Sequence, residues 1–195
     1  MTASKSLVVI FGPPAVGKMT IGLELERLTG LPLFHNHMSA DPILRYFDFG
    51  TPAFGRLVSE FRLRLFEEVA ASDLPGLIFT YVWALDDPRD RASVDRLTLI
   101  FSERGAQICF VELKATQAER LARNETPLRL EQKAPKRDVG RSRQHLLDAD
   151  VQYQLNTNDD FFYPERHLQI ENTALNPDVV ALRVIDHFHL PSCAR

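Results

Sequence analysis

Cysteine is scarce in this chain, and long hydrophobic runs are absent from it. Its two cysteines, Cys109 and Cys193, supply neither a disulfide framework nor a zinc-binding cluster, and Cys109 lies in an apolar run that favours a core position. No apolar stretch approaches the roughly 20 residues that a membrane-spanning helix requires. Residues 1–6 are too short and too polar for a signal peptide. We therefore expect a soluble, cytoplasmic protein with no membrane partner.

The chain also lacks a strong excess of charge of either sign. Its formal net charge is −3, which gives no overall attraction to nucleic acid or to an anionic membrane surface. The 195 residues contain 45% apolar side chains, enough for one globular domain with a sizeable core. No internal repeat is present. The composition predicts a single domain over residues 1–195, with partners determined by local sites.

A glycine-rich segment follows the first apolar run and is the most informative part of the sequence. After the apolar residues 7–11, the letters GPPAVGKMT begin at Gly12 and give the G-x-x-x-x-G-K spacing of a phosphate-binding loop. Glycines let the backbone approach anionic oxygens, and the helix that follows presents free N–H groups. Pro13 and Pro14 carry no N–H, so the amides from about Ala15 to Thr20 must form the cradle.

Lys18 supplies the cationic side chain of this loop, but the next position departs from the standard motif. Met19 stands where Ser or Thr usually ligates magnesium, and Thr20 follows one residue later. The G-K-x-T form resembles the loop of adenylate kinases, which indicates a variant site. The alternative is a glycine-rich turn that binds nothing.

Strand and helix patterns alternate along the chain, which predicts a parallel sheet covered by helices on both faces. Asp86 and Asp87 precede Pro88, where a helix-capping role is favoured over the alternative of a carboxylate directed at magnesium. The predicted strands are residues 7–11, 33–35, 77–83, 107–113 and 167–170. The predicted helices follow the loop up to Gly30 and then cover residues 52–72 and 88–104, a short segment to Arg123, a stretch ending near Leu155, and residues 179–188.

The order of elements, the loop, the arginines of Arg120-Leu121-Ala122-Arg123 and the segment Asn172-Thr173-Ala174-Leu175-Asn176-Pro177 resemble small P-loop kinases. The most similar branches are shikimate kinase and gluconate kinase, within the nucleoside-monophosphate-kinase group. The resemblance implies a three-layer αβα sandwich with a five-stranded parallel sheet and a helical lid at about residues 124–137.

The resemblance also implies roles for individual residues and the use of ATP with Mg²⁺. Lys18 would bridge the β- and γ-phosphates, and Thr20 would hold phosphate or the metal. Arg120 and Arg123 would cover the nucleotide base, with Asn172 and Thr173 beside it. Arg129 would act on the transferred phosphoryl group from the lid. The backbone of the cradle would come from Gly12, Ala15, Val16, Gly17 and Met19.

The acceptor is expected at the end of the second strand, where this chain has two histidines. A neutral histidine can take a proton near pH 7, and His35 and His37 would share a face if the strand continued. His37 and Asp41 are the candidate bases, although each histidine could instead have only a structural role. His35 and three arginines, which can hold an anion through paired hydrogen bonds, are the candidate acceptor ligands. These arginines are Arg45, Arg56 and Arg62.

These features predict an ATP-dependent kinase that phosphorylates a hydroxyl of a small metabolite, such as a sugar or sugar acid. One alternative is a P-loop ATPase or switch without a small-molecule acceptor, which the absence of a D-x-x-G motif disfavours. A second is a kinase that acts on a macromolecule or a nucleic-acid end, which the net acidic charge disfavours.

Overall fold

The computed structural model describes residues 5–124, 139–158 and 160–193. These residues form a five-stranded sheet in which every strand pair is parallel and the spatial order is β2-β3-β1-β4-β5. The strands are β1 (Ser6–Phe11), β2 (Leu33–His35), β3 (Gly76–Tyr81), β4 (Gln107–Lys114) and β5 (His167–Glu171). The α/β class and the parallel sheet expected from the sequence are confirmed.

Helices cover both faces of this sheet. The helices are α1 (Lys18–Thr29), α2 (Asn36–Leu44), α3 (Pro52–Ala71), α4 (Pro88–Ser102), α5 (Gln117–Asn124), α6 (Val139–Gln152) and α7 (Pro177–Phe188). None of those in the described ranges combines the length and the hydropathy that a membrane crossing requires.

The alternation of side chains along β1 divides the interior into two hydrophobic clusters. Val8 and Ile10 face one cluster, which contains the apolar stripes of α1 and α7. Leu7 and Val9 face the other, which contains the buried residues of α3 and α4. Because both faces of the central strands are covered, these strands are mostly apolar.

The starts of α4 and α7 agree with the local sequence signals. The Asp87 carboxylate accepts from the Arg89 amide at 2.9 Å and caps α4, as expected, with Pro88 in the first turn. Asn176 occupies the N-cap position of α7 without a side-chain cap bond. The α2 and α3 helices pack on each other around Ala40, Phe54 and Val58, and form a small cluster separate from the two larger ones.

Two differences from the sequence-based expectation affect the candidate site. The third strand ends at Tyr81, two residues before the predicted end, and Trp83 turns into the core against Phe11, with ring centroids 5.3 Å apart. The second strand does not continue past His35, because a helix begins at Asn36, whose amide donates to the Thr80 hydroxyl at 3.3 Å. The idea that His35 and His37 share a strand face is therefore wrong.

Candidate active site

The segment after β1 folds as a tight loop whose backbone only small residues tolerate. Gly12, Ala15 and Gly17 have φ values of 135°, 64° and 108°. A side chain at Gly12 would place its Cβ 2.4 Å from the Leu113 carbonyl oxygen, so this position requires glycine. Positive φ at a non-glycine residue such as Ala15 costs free energy and is concentrated at functional sites. The loop therefore has the curled backbone of an anion-binding nest.

The N-terminus of α1 opens directly onto this loop. Its N-cap is Gly17, no side chain caps it, and no acidic residue lies in its first turn. The first amides of the helix and its positive dipole end thus remain available to an anion. This arrangement suits a phosphate group bound at a helix N-terminus.

The Lys18 side chain folds back over the loop. Its Nζ donates to the carbonyl oxygens of Gly12 at 2.6 Å and Pro13 at 2.7 Å. These carbonyl oxygens compensate part of the ammonium charge. The lysine is thus already positioned above the cradle.

Three side chains from distant parts of the chain hold the loop from the other side. Arg123 Nη1 and Asn172 Nδ2 donate to the Val16 carbonyl oxygen at 3.0 Å and 2.9 Å. Arg120 Nη1 reaches the Pro14 carbonyl oxygen at 3.4 Å. Arg123 also donates to the carbonyl oxygens of Asn172 and Thr173. The structure thus brings together four residues predicted to lie at the nucleotide, while their contact with a base stays a prediction.

Sequence reasoning missed the partner that fixes Arg120. Arg120 is 5% exposed, and its guanidinium forms a bidentate pair with Asp150 of α6, at 3.0 Å and 2.6 Å. Asp150 also accepts from Gln117 at 2.8 Å. Because 30 residues separate the two partners of the pair, no local pattern could reveal it.

Thr20, the predicted phosphate or metal ligand, is half-buried in the first turn of α1. It lines a shallow groove of about 440 Å³ between α1 and α7, together with Leu23, Arg27, Pro177 and Asp178. The metal-binding role of Thr20 stays a prediction.

The carboxyl end of β2 provides the second wall of the candidate site. His37 and Asp41 lie one turn apart on α2, and His37 Nδ1 is 3.1 Å from Asp41 Oδ1. The ring of His35 lies 6.3 Å from that of His37, measured between centroids. The two candidate bases are therefore partners of each other, an arrangement that orients the imidazole.

Arg62 is the candidate acceptor arginine that reaches this wall. Its Nε donates to the Ser39 hydroxyl at 2.8 Å, and its Nη2 donates to the Asn36 side-chain oxygen. Arg45 and Arg56 are exposed, so their roles as ligands stay predictions. Arg64, two residues further along α3, is exposed and pairs with Glu67 and Glu68.

The end of β3 adds two residues that sequence reasoning did not place in the site. Tyr81 donates its hydroxyl to Asp90 Oδ1 at 2.9 Å, and Ala84 donates its amide to Asp90 Oδ2 at 3.0 Å. Burial, then the charge of Asp90, raises the pKa of Tyr81 above its ordinary range. Burial also raises the pKa of Asp90, in opposition to its hydrogen bonds from Ala84 and Tyr81.

Behind the loop, β4 carries a fully buried carboxylate, Glu112. Its Oε1 accepts from Asn156 Nδ2 and from the Thr157 amide, both at 2.8 Å. Its Oε2 accepts from the Thr157 hydroxyl at 2.7 Å and from Gln169 at 3.1 Å, and lies 3.0 Å from His167 Nε2. Burial alone would raise the pKa of Glu112. The hydrogen-bond donors outweigh this effect and lower the pKa to about 2.

Arg129 and nearly all of the predicted lid at 124–137 lie outside the described residues. Their roles stay predictions. Asn124, which is described, ends α5 and accepts from the Ser142 hydroxyl at 2.9 Å.

Solved structures match this chain along almost its whole length. The tunicamycin resistance protein of Deinococcus radiodurans is 16% identical, with a TM-score of 0.57 over 98% of this chain and 100% of that one. A gluconokinase from Sinorhizobium meliloti is also 16% identical, with a TM-score of 0.59 over 97% and 94%. A shikimate kinase from Acinetobacter baumannii, solved with shikimate, is 16% identical, with a TM-score of 0.57 over 95% of this chain and 93% of that one.

The chain has the fold of the small P-loop kinases. A scan of protein-family models and a search of curated proteins both found no match. At these identities the likeness to shikimate kinase and gluconokinase concerns the fold, and the expected resemblance is confirmed at that level.

Proposed function

We propose that this protein is an ATP-dependent kinase that transfers the γ-phosphoryl group to a hydroxyl of a small anionic or polyhydroxylated metabolite. One observation carries the proposal: the phosphate loop shares the carboxyl edge of the sheet with a second polar wall that contains Arg62, His37 and Asp41. A nucleotide-binding loop alone suits an ATPase, whereas the second wall provides a place for an acceptor.

The residues of the loop fit a nucleoside triphosphate bound with Mg²⁺. Lys18 would exchange the carbonyl oxygens of Gly12 and Pro13 for β- and γ-phosphate oxygens, while the first amides of α1 bind the remaining oxygens. Magnesium usually takes only one or two protein ligands beside phosphate oxygens and water, and the Thr20 hydroxyl could serve as one. The metal would neutralise charge on the phosphates as the bond to the leaving ADP breaks.

On the acceptor side, the His37–Asp41 pair suits a general base. With Nδ1–H donated to Asp41, the other ring nitrogen, Nε2, is the proton acceptor. The acceptor hydroxyl oxygen forms the new bond to the γ-phosphorus, the bond from that phosphorus to the bridging oxygen breaks, and ADP leaves. The hydroxyl proton passes to His37. Arg62 would hold an anionic group of the acceptor.

A coupled assay of ADP release tests this proposal. Purified protein with Mg²⁺ and ATP should release ADP slowly alone and at least tenfold faster with one member of a panel of sugars, sugar acids, hydroxy acids and nucleosides. The Lys18→Ala variant, with its fold checked by circular dichroism, should lose that stimulation. ADP release that no acceptor stimulates would favour the ATPase alternative, and no ATP binding at all would reject both.

A further inference from the structure

We infer that Tyr81 and Asp90 set the charge selectivity of the acceptor site: the Tyr81 hydroxyl and the Ala84 amide hold the Asp90 carboxylate off Arg62, whose guanidinium remains the binding group for an oxyanion. This inference rests on the proposed function, because it concerns the acceptor wall of the same site.

The Asp90 carboxylate is fully engaged by neutral donors. It lies in the first turn of α4, where Oδ1 accepts from Tyr81 at 2.9 Å and Oδ2 accepts from the Ala84 amide at 3.0 Å. One donor comes from the strand end and the other from the connection that follows it. Together they fix both oxygens, so the carboxylate cannot rotate towards a third group without losing a bond.

The Arg62 guanidinium also has only neutral partners in direct contact. It donates to Ser39 and Asn36, and its Cζ lies 5.7 Å and 5.5 Å from the ring centroids of Phe79 and Tyr81. Within the described parts of the chain, no carboxylate oxygen lies within ion-pair distance of this guanidinium. A half-buried cation that is surrounded by hydroxyl, amide and aromatic groups keeps most of its charge for a ligand.

Tyr81 lies between these two opposite charges. Its ring faces the guanidinium, and its hydroxyl binds the carboxylate. Burial lowers the pKa of Arg62 and raises that of Asp90, and the weaker attraction between the two charges across the phenol opposes both shifts. The phenol therefore acts as a spacer that prevents an internal ion pair.

The chemical consequence is a preference for an acceptor that carries a carboxylate, phosphate or sulfate group. Such an oxyanion can take paired hydrogen bonds from a guanidinium, and it neutralises a charge that Asp90 compensates without direct contact. A neutral polyol of the same size offers neither gain. Removal of the spacer hydroxyl should let Asp90 pair with Arg62 and compete with the ligand.

The test is a titration that does not depend on nucleotide or on turnover. In protein labelled with ¹⁵N-arginine, the Nε–H signal of Arg62, assigned by its loss in Arg62→Lys, is followed while sodium gluconate is added. Sodium sulfate is a second arm and neutral sorbitol the control ligand. All titrations are repeated in a Lys18→Ala background, where the phosphate loop does not contribute.

Tyr81→Phe should weaken gluconate binding at Arg62 by about tenfold or more, and Tyr81→Phe combined with Asp90→Asn should restore it to within threefold of the parent. Asp90→Asn alone should bind gluconate at least as tightly as the parent. Tyr163→Phe is the matched control, since Tyr163 donates to Asp95 on the same helix away from this wall, and it should leave the titration unchanged.

Three outcomes would overturn the inference: no Arg62 response to gluconate or sulfate in any protein, parental affinity in Tyr81→Phe, or a Tyr81→Phe loss that Asp90→Asn fails to rescue. The last outcome would assign Tyr81 a packing role only. If ATP does not bind while the titration behaves as expected in both backgrounds, the proposed kinase function fails and the anion site stands.

Discussion

Replacement of the buried carboxylate behind the phosphate loop, Glu112→Gln, should destabilise the protein in a pH-dependent manner. Glu112 is fully buried, and donors from Asn156, Thr157 and Gln169 surround both of its oxygens, with His167 at 3.0 Å. A glutamine at this position would turn an NH₂ group towards at least two donors. One oxygen would lose its partners whichever way the amide is placed.

The magnitude follows from the pKa of Glu112, which falls from 4.5 to about 2 on folding. At about 1.4 kcal/mol per pH unit, a difference of this size corresponds to about 3 kcal/mol of folding free energy. Because folding lowers this pKa, the ionised carboxylate stabilises the folded state fully above pH 4.5, and this stabilisation is lost as the pH falls towards 2. For a chain of this length, about 3 kcal/mol corresponds to a decrease in Tm of roughly 6–12 °C.

Urea unfolding of the parent and of Glu112→Gln, measured from pH 7 to pH 3, provides the assay. The free energies of unfolding should differ by about 3 kcal/mol at pH 7, and the difference should shrink below pH 4.5 as the parent loses its charge-dependent stability. Glu165→Gln, an exposed carboxylate before β5, is the control and should change stability by less than about 0.5 kcal/mol. A gap that stays constant down to pH 3 would refute the assigned charge state.

Three further variants test the candidate site. Lys18→Ala should lower ATP affinity by at least about 100-fold in calorimetry while circular dichroism stays unchanged, because the loop loses its cation; unaltered affinity would remove Lys18 from the site. His37→Ala should reduce kcat with the identified acceptor by about 100-fold and leave ATP affinity within threefold, and an undiminished kcat would reject it as the base. Asn172→Ala removes a 2.9 Å hydrogen bond to the Val16 carbonyl oxygen. It should weaken ATP binding about fivefold, because the bond stabilises the binding conformation of the loop by about 1 kcal/mol. Equal affinity in parent and variant would mean that Asn172 does not support the loop.

Local sequence patterns were sufficient to predict the sheet and the phosphate loop. Apolar runs and the spacing from Gly12 to Lys18 depend on residues that are close in the chain, so the strands and the loop could be predicted. The start of α2 at Asn36 could not, because it is fixed by a hydrogen bond to Thr80, 44 residues away. The spacing of His35 and His37 instead suggested a strand that continues past His35, and this prediction was wrong.

Residue pairs that meet through the fold were missed for the same reason. Asp150 contacts Arg120 across 30 residues, and the Glu112 donors come from segments 44 to 57 residues further on. Asp90 is only nine residues from Tyr81, yet its role depends on Arg62 from another helix. The sequence shows a carboxylate in each case, but its partner depends on which strand ends lie side by side.

The contacts that hold the phosphate loop also determine when during synthesis this loop can be stabilised. The central strand β1 is synthesised first, but its neighbours β3 and β4 begin at Gly76 and Gln107. Among the described residues, the side chains that donate to the Val16 carbonyl oxygen are those of Arg123 and Asn172. A nascent chain that has left the ribosome as far as β4 can pair the central strands, yet its phosphate loop still lacks both of these donors. Competence to bind nucleotide should therefore arise late in synthesis, after β5 has joined the sheet.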